Sequence, residues 1–469
     1  MGFFISPEEA TMGRLFLCLL VAFLFSVNGA FAGNVDTYGI GAKATALGGA
    51  FAAYADDPFA IYYNPAGITQ IERPVVSLGT HLIKPSMYVY GYQVTGVMEP
   101  PAAGPQDFQD HSSTLVVPHA GFVMPVSKTV TAGIALYVPY GLDVKWGGTP
   151  SDVGSYNAYH SWYRREVVTP TVAYRLTDTL SVGVGLSLGK SKAGVERLAF
   201  APFISGLHNR QIETDMSDEM NYSLNVGFLY KPTKKLAAGL TYRGRTSTKF
   251  EGTTRAVGLS EGDTVVLNVP GGPFTGTVHN TVVNAQTEID HPEQLQLGIR
   301  CLPVERLSFE VDVVWTRWSR IDGYTVTFDK KFLDVTGFPA GNPGKMSEYF
   351  PRDWKDTTQV RFGVEWQVNK ILALRGSYFY DPSPIPDTTM DIQWADADKR
   401  TFALGMGLNF GRVTVDGVLQ YTVTDGKRDI AGESGNLNGS YAGGGGNPAV
   451  SLTADGHLWG GGVTVSYSF

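Results

Sequence analysis

From about residue 74 onward, apolar and polar residues alternate in short segments. The alternation is regular over 359–368, 401–410 and 462–469, where apolar side chains take every second position and small or polar ones take the others. A period of two places the two sets on opposite faces of a β-strand. Because strands of a soluble β-sandwich alternate in the same way, this pattern predicts an all-β fold without distinguishing a sandwich from a membrane barrel.

The links between these segments are of two kinds, and they favour a barrel. Six links are short and polar: 127–129, 177–179, 231–235, 303–306, 369–370 and 411–412. Long stretches rich in Gly, Pro and Asp lie between them, at 99–112, 201–220, 258–280 and 432–455. Short turns at one rim and long loops at the other are typical of an outer-membrane barrel. With both chain ends at the short-turn rim, the pattern predicts a transmembrane β-barrel of fourteen antiparallel strands.

Aromatic residues mark the rim that carries the short turns. Strands arriving there end in Tyr174, Tyr230, Trp366, Phe410 and Phe469. Amphipathic rings suit the boundary between lipid and water, whereas the core of a soluble protein would not place them repeatedly just before short turns. The final Tyr467–Phe469 also resembles the aromatic end of proteins delivered to the outer-membrane assembly machinery. We therefore expect that machinery and outer-membrane lipid as partners.

An apolar run near the start has the features of a secretory signal. The run Leu15–Phe25 follows an arginine, is too short to span a bilayer comfortably, and precedes an A-x-A site at Ala30–Ala32. This predicts cleavage after Ala32 and a mature protein that begins at Gly33. Acidic residues within the first eleven positions suit a positive n-region poorly, so translation starts either at Met1 or at Met12.

Composition and motifs exclude several classes of function. The net charge of −7 argues against a nucleic-acid partner. Of the two cysteines, Cys18 leaves with the signal, so Cys301 has no partner for a disulfide within the mature chain. The sequence contains no metal-ligand spacing, nucleophile elbow or phosphate-binding loop. We therefore predict neither enzymatic activity nor a metal or other cofactor.

Some strands carry charged residues on the face opposite their apolar one. These are Glu310, Asp312, Arg361, Glu365 and Arg375. The interior of a membrane barrel is polar, so we expect these side chains to face the lumen. There they would pair with one another or hold a plug, and their presence does not indicate catalysis.

Residues 33–73 differ from the alternating segments that follow. Small residues at helical spacing over 39–57 predict one or two short helices that end at Pro58, and 63–67 has the composition of a turn. A segment of this length ahead of a fourteen-stranded barrel fits either a plug in the lumen or a periplasmic tail.

The segment Gly48–Pro74 resembles the hatch of the FadL-type family of outer-membrane long-chain fatty acid and hydrocarbon transporters. The residues that carry this motif are Asp56, Asp57, Asn64, Pro65 and Ala66. Similar segments follow at Leu240–Gly252, Trp315–Ser319 and Tyr380–Pro386. The resemblance covers nearly the whole mature chain, and it implies fourteen strands with an N-terminal hatch inside them. We expect Asp56, Asp57, Glu72 or Arg73 to hold this hatch against charged residues of the lumen. The expected organisation is a signal peptide over 1–32, a hatch over 33–73 and a barrel over 74–469.

The resemblance also implies a route for a hydrophobic ligand. In such proteins loops capture the ligand, the hatch moves, and the ligand leaves sideways through a gap at a kinked third strand. Here Pro139, Tyr140 and Gly141 fall at that kink, and a proline in mid-strand cannot donate a ladder hydrogen bond. A simple bulge is the alternative explanation for these residues.

The ligand itself is less well defined by the sequence. Loop 201–220 is shorter than the family's ligand-catching loop, and only Arg197 and Arg210 lie near positions where a ligand carboxylate would bind. Fatty acid and neutral hydrocarbon therefore both stay open. A general diffusion porin for hydrophilic solutes is the alternative function, but it would need an open lumen without a hatch.

Overall fold

Antiparallel strands cover most of the chain in the computed structural model, which describes residues 39–98, 104–146, 153–339 and 342–469. The predicted signal peptide and cleavage site lie outside the described residues. None of the helices within these ranges is long and apolar enough to cross a membrane.

The elements follow one another in this order along the chain. The helices are α1 (Ala42–Ala46), α2 (Ala60–Tyr63) and α3 (Gly435–Gly439), and the 3-10 helices are η1 (Pro65–Gln70), η2 (Val153–Tyr156), η3 (Trp318–Arg320), η4 (Asp387–Thr389) and η5 (Ala442–Gly444). The strands are β1 (Val75–Val97), β2 (Gln106–Gln109), β3 (Leu115–Pro125), β4 (Val130–Lys145), β5 (His160–Arg175), β6 (Leu180–Leu198), β7 (Ile204–Ser205), β8 (Gln211–Thr233), β9 (Leu236–Arg243), β10 (Lys249–Ala256), β11 (Thr264–Leu267), β12 (Phe274–His279), β13 (Val282–Glu288), β14 (Gln294–Val304), β15 (Leu307–Thr316), β16 (Gly323–Phe332), β17 (Asp334–Thr336), β18 (Lys345–Pro351), β19 (Thr357–Gln367), β20 (Leu372–Asp381), β21 (Lys399–Asn409), β22 (Val413–Thr424), β23 (Arg428–Ala431) and β24 (Gly446–Ser468).

These strands form a closed barrel of fourteen antiparallel wall strands, which confirms the predicted fold class. Several wall strands are interrupted: β9 continues as β10, β13 as β14, β15 as β16, β18 as β19, and β22 as β23. The barrel closes where β1 pairs with β24, from Val75 opposite Ser468 to Val97 opposite Gly446. The six short turns all fall between consecutive wall strands, as the sequence predicted.

The two faces of the wall differ as the alternation predicted. Leu404 and Leu419 are about 70% exposed on the outer surface, while Arg361, Arg375 and Asp312 are buried inside. Four of the five aromatic residues at the short-turn rim are also exposed, with values from 45% for Tyr174 to 62% for Phe410, while Phe469 is half-buried. An apolar outer band with aromatic borders is suited to lipid.

The predicted long loops contain more strand than expected. β1, β8 and β24 each have 23 residues, about twice the ~9–11 residues that cross a bilayer. The outer ends of β8 and β24 extend into the stretches 201–220 and 432–455, which were predicted to be irregular. A separate four-stranded sheet, in the order β17-β12-β11-β7, forms from other loop residues. Strand pairing provides hydrogen-bond partners for the backbone groups of these loops. Because the loops lie beyond the membrane, their strands lack the apolar–polar alternation that marks the wall strands in the sequence.

The segment before β1 lies inside the barrel as a hatch of short helices. The first helix ends at Ala46 rather than at Pro58, because Gly48 and Gly49 adopt positive φ angles of 66° and 71°. Pro58 instead precedes α2. Apolar hatch side chains pack with the inner faces of β3, β4 and β5 in one buried cluster that includes Phe51, Tyr54, Phe59, Ile61, Val123, Tyr137 and Val167.

Candidate transport passage

Lumenal carboxylates hold the hatch through its backbone. Asp312 Oδ2 accepts hydrogen bonds from the backbone N–H groups of Phe51 and Ala52 at 3.1 and 3.0 Å. Glu310 Oε1 accepts one from Ala53 N–H at 2.7 Å, and the Tyr54 hydroxyl donates to Glu365. Each of these bonds gives a hatch donor an acceptor on the wall, and a buried donor left without one is costly, so this set fixes the position of residues 51–54 against the wall. We name Glu310, Asp312 and Glu365 the carboxylate latch.

The charged residues of the hatch motif make their contacts within the hatch itself. We expected Asp56, Asp57, Glu72 or Arg73 to bind lumenal charges. Instead, Asp56 pairs with Lys43 at 2.7 Å, Asp57 accepts a hydrogen bond from the backbone N–H of Phe59 at 2.8 Å, and the last two side chains are exposed. The anchoring charges lie on the wall, and the hatch supplies uncharged donors to them.

Lys43 and Asp57 of the hatch both have shifted pKa values. Burial raises the pKa of Asp57 to about 7, an effect that Lys43 reduces and Asp56 increases. Burial by itself lowers the pKa of Lys43, but Asp56, Tyr54 and Glu365 together more than offset it, and the pKa lies above its ordinary value. Lys43 is therefore protonated, whereas Asp57 titrates near neutrality.

The Asn64-Pro65-Ala66 motif holds the end of the hatch against two wall strands. Asn64 Nδ2 donates to the carbonyl oxygens of Ala52 at 2.7 Å and Phe228 at 2.9 Å, and its Oδ1 accepts from Ala66 N–H at 3.1 Å. A Cβ atom at Gly227 would lie 2.1 Å from that Oδ1. The glycine in β8 thus permits the close approach that the motif needs, since any side chain there would collide with Asn64.

The third wall strand, β4, is distorted at the predicted kink. Tyr137 pairs with Val167 of β5, but the next paired residue is Tyr140, opposite Arg165. Val138 and Pro139 therefore form a bulge, which shifts the alternation by one residue. As a result Tyr137 and Tyr140 both face the lumen: the first hydroxyl lies 2.8 Å from Thr169 Oγ1, and the second ring stacks on His291.

On its other side, β4 separates from β3 at the same height. Their pairing ends at Ala120 opposite Leu136, although β3 continues to pair with β1 as far as Leu115. The strands are joined again further out, where His111 N–H donates to the Lys145 carbonyl at 2.6 Å. The barrel wall therefore has a gap without ladder hydrogen bonds beside the bulge.

The hatch lies directly against the inner side of this gap. The Phe59 ring meets the ring of His119, which lies on the β3 edge of the gap, at a centroid distance of 4.9 Å. Pro58 lies close to Gly121: a Cβ atom added to Gly121 would be 2.8 Å from the Cβ atom of Pro58. A movement of residues 58–59 would consequently change the surface that the gap presents to the lumen.

Apolar cavities lie in the outer half of the lumen. One of about 690 Å³ has a lining that includes Leu142, Trp162, Met216, Tyr324, Phe332 and Trp394. A second of about 680 Å³ includes Met87, Val89, Trp146, Met390, Ile392 and Leu458. A third of about 460 Å³ shares Leu142 and Trp394 with the first and Lys399 with the second. The third cavity shares lining residues with each of the others, so the three are neighbours, and the first and third reach Leu142 on β4 above the kink.

The two arginines proposed from sequence occupy different places. Arg197 lines the first cavity, where its guanidinium pairs with Glu348 at 2.5 Å. Arg210 instead donates to the backbone carbonyls of Gly206 and Gly258 in an outer loop. The structure thus brings only Arg197 to a cavity, and its charge is already neutralised. Within the described ranges, no group of three or more His, Cys, Asp or Glu side chains could hold a metal ion.

Sequence reasoning did not find His119, Phe59 or Trp394. His119 faces the lumen by the alternation of β3, a signal that was available but not specific. Trp394 belongs to the segment between β20 and β21, which folds into the barrel. Periodicity says nothing of such a segment, because it has no regular face.

The whole chain can be compared with known proteins at this point. The model of a family described as outer membrane protein transport protein (OMPP1/FadL/TodX) matches residues 20–469. The chain belongs to this family. Membership confirms the resemblance seen in the hatch residues and the Tyr380–Pro386 segment, and it places the barrel in the outer membrane of a Gram-negative bacterium.

Individual relatives of this family are distant from the chain in sequence. A long-chain fatty acid transport protein of Escherichia coli O6:H1 is 24% identical over 439 residues, which cover 89% of this chain and 90% of the relative. A putative outer membrane protein of Neisseria meningitidis is 23% identical over a region that covers 81% of this chain and 83% of the relative. At these identities most of the aligned residues differ.

Solved structures of family members share the fold. A Pseudomonas aeruginosa FadL homologue has a TM-score of 0.73 at 18% identity and covers 94% of this chain and 100% of its own. The Ralstonia pickettii toluene transporter TbuX has a TM-score of 0.62 at 17% identity, and the match covers 92% of this chain and 99% of TbuX. These likenesses support the fourteen-stranded barrel and its hatch.

Proposed function

We propose that the chain carries hydrophobic small molecules across the outer membrane and releases them sideways into lipid. The observation that carries this proposal is the gap between β3 and β4, which lies between the apolar cavities and the hatch contact at Phe59. The bulge at Pro139 keeps the adjacent part of β4 out of line with β3. Two relatives bear the names of transporters, one for long-chain fatty acids and one for toluene.

A lateral route is favourable for an apolar ligand. Entering lipid instead of water gains roughly 0.8 kcal/mol for each buried CH₂ group. A ligand that descended through the barrel would have to pass the latch and then enter the aqueous periplasm. A ligand in the apolar cavities reaches Leu142, which lies on the part of β4 that no longer pairs with β3.

The route requires that the hatch contact near the gap can change. Pro58 packs against Gly121, and Phe59 packs against His119. Among the described residues, neither contact includes a hydrogen bond. The carboxylate latch holds residues 51–54 much more firmly. We propose that the hatch yields locally at 58–59 while the latch holds the rest of it in place.

Uptake by whole cells tests this function. A strain lacking the gene should lose uptake of radiolabelled oleate or toluene, and the restored gene should return it. Uptake of a hydrophilic sugar of similar mass should be the same in both strains, because the hatch fills the lumen. A restored gene that speeds sugar entry and leaves both apolar probes unchanged would favour a diffusion porin.

A further inference from the structure

A polar cavity connects the hatch with the rim that carries the short turns. It has a volume of about 930 Å³, and its lining includes Val75 and Ser468, which pair where the barrel closes at that rim. The short turns of an outer-membrane barrel face the periplasm, so we call this cavity the periplasmic vestibule. Its lining also includes Asp57 and Pro58 of the hatch. Periplasmic water therefore reaches the segment that lies against the gap.

Asp57 differs from the other carboxylates that are not fully exposed in this vestibule. Asp56 pairs with Lys43 at 2.7 Å, and Asp416 pairs with Arg375 at 2.6 Å. Asp57 is half-buried and forms no ion pair within the described ranges. A carboxylate that is neither paired nor fully hydrated is the one whose charge is least stabilised by its surroundings.

The same carboxylate holds the segment that meets the gap. Asp57 Oδ1 accepts a hydrogen bond from the backbone N–H of Phe59 at 2.8 Å, and the Asp57 carbonyl accepts one from Ala60 N–H at 3.0 Å. These two bonds shape the turn into α2 and orient the Phe59 ring, which lies against His119 at the gap edge. A displacement of the Asp57 side chain would consequently move residues 58–59.

Opposing effects decide which form of Asp57 suits this position. The Phe59 N–H group and the positive charge of Lys43 favour the ionised form. Loss of hydration, together with repulsion by Asp56 and Asp416, outweighs them and raises the pKa of Asp57 to about 7. An ionised Asp57 regains its hydration by moving into the vestibule, and this movement takes residues 58–59 away from the gap.

We infer that Asp57 is a positioning residue for lateral release: its neutral form holds Phe59 against the gap, and its ionised form lets residues 58–59 withdraw. This inference rests on the proposed function and specifies how that function is regulated. A rise in periplasmic pH through neutrality would speed release, and acidification would slow it.

Several other charged or titratable groups face Asp57 and its neighbours. They are Lys43 of α1, Asp56 beside it in the hatch, Arg375 of β20, Asp416 of β22, Glu72 and Arg73 before β1, and His119 of β3 behind the Phe59 ring. The first four are engaged in ion pairs with one another. A pH response that came from any of these groups would survive the replacement of Asp57.

Two variants separate the charge of Asp57 from its hydrogen bond. Asp57→Asn keeps an acceptor for the Phe59 N–H group without a charge, whereas Asp57→Ala removes both. Release by the wild type should be about 3- to 10-fold faster at pH 8 than at pH 6, the range that proton linkage gives for a half-buried carboxyl with this pKa. Asp57→Asn should be slow at both pH values, and Asp57→Ala fast at both.

Cellular uptake measures this effect. Initial uptake of radiolabelled oleate and of toluene is followed at pH 6 and pH 8 in a strain that lacks the gene and carries each variant at equal outer-membrane abundance. Dividing the wild-type rate by the Asp57→Asn rate removes any effect of pH on the probe. The quotient should be near 1 at pH 6 and about 3–10 at pH 8. Asp178→Asn, in an exposed short turn, serves as the control and should behave as the wild type does.

Hydrogen exchange of the purified full-length protein reports the position of the segment independently of transport. After correction for the intrinsic effect of pH, amides 59–63 of the wild type should exchange faster at pH 8 than at pH 6. In Asp57→Asn they should exchange equally at both. Heat-modified migration on a gel verifies that each barrel is folded.

The outcomes separate the inference from the proposed function. If uptake depends on the gene but the quotient is the same at both pH values, Asp57 does not control release and transport still stands. Equal corrected exchange in the wild type at both pH values overturns the inference as well. Absence of gene-dependent uptake for both probes at both pH values would instead reject transport itself.

Discussion

Single carboxylates on the wall fix the hatch, and they do so through its main chain. Asp312 accepts two backbone N–H groups and the Gln296 amide with the same oxygen atom. Main-chain donors have no rotamer freedom to lose, so each such bond orders the hatch at little entropic cost. The identity of hatch residues 51–53 therefore matters less than the presence of the acceptor.

Replacing Asp312 with Ala should loosen the hatch without opening the barrel. The N–H groups of Phe51 and Ala52 lose their acceptor, which costs about 1–3 kcal/mol for buried donors. Hydrogen exchange measured by mass spectrometry should show amides 51–53 exchanging about 10- to 100-fold faster. Asp178→Ala, in an exposed short turn, serves as the control. Unchanged exchange in the Asp312 variant would show that the packed aromatic cluster alone holds this segment.

The Asp57 carboxyl should make the local stability of the hatch depend on pH. Its pKa is raised from 3.8 to about 7 in the folded state, so between these values the folded hatch holds a proton that the unfolded one releases. Stability is therefore highest below pH 4, falls as pH rises to 7, and is constant above that. Asp57→Asn should protect hatch amides more than wild type at pH 8 and equally at pH 4. Equal protection at both values would contradict the shift.

At the scale of elements, the strands and turns were predictable and the inward-folded loops were not. Alternation and short polar turns fixed the position of wall strands such as β19 and β21, because lipid on one side and a polar lumen on the other impose a strict period of two. The four-stranded outer sheet and the Trp394 segment lie outside that constraint. The hatch was recognisable by its motif, but its helix boundaries depended on Gly48 and Gly49 rather than on Pro58.

Straightening β4 should block lateral release. Pro139→Val returns a backbone donor and Gly141→Val adds strand propensity, so the doubly substituted strand should pair further with β3. Cellular uptake of the apolar ligand should fall while binding to purified protein persists.

A matched control carries Pro303→Val and Gly417→Val, on β14 and β22 away from the gap, where Pro303 is exposed and a Cβ at Gly417 meets nothing within 4 Å. It should transport as the wild type does. Wild-type uptake by the β4 variant, at equal abundance in the outer membrane, would indicate that the ligand passes straight down beside the hatch.

Deleting residues 33–53 should open a path through the lumen. The deletion removes α1 and the backbone donors of the latch, and the carboxylates left behind attract water. Single-channel conductance in planar bilayers should rise well above the wild-type value. A deletion variant as closed as the wild type would mean that the rest of the hatch is sufficient to seal the pore.

At the scale of the whole molecule, the chain is a lipid-facing wall around a filled interior. Apolar side chains on the outside and aromatic rings at the short-turn rim match the bilayer, and both ends of the barrel sequence meet at one rim. This arrangement followed from the sequence. The contacts inside the lumen did not: Tyr140 stacks on His291, and the sequence does not specify the register of the segments that bring these two rings together.

The exported protein should begin at Gly33. Intact-mass measurement of the outer-membrane form should give a chain that lacks residues 1–32, since the A-x-A site ends at Ala32. Substituting both alanines of that site with Gln should leave a precursor in the inner membrane. A mature mass that includes any residue before Gly33 would move the cleavage site.

The pairing of β1 with β24 sets the order in which the molecule can be made. Val75 meets Ser468, so the ring cannot shut until the last residues have been synthesised, and until then both strands expose unpaired edges. The hatch precedes β1 and touches the final strand itself, with Ala42 N–H donating to Thr464 Oγ1 at 2.9 Å. Once the seam is sealed, a folded hatch has no way in. The segment that precedes β1 is therefore enclosed when the last strand pairs, so the hatch has to lie within the ring before the seam closes.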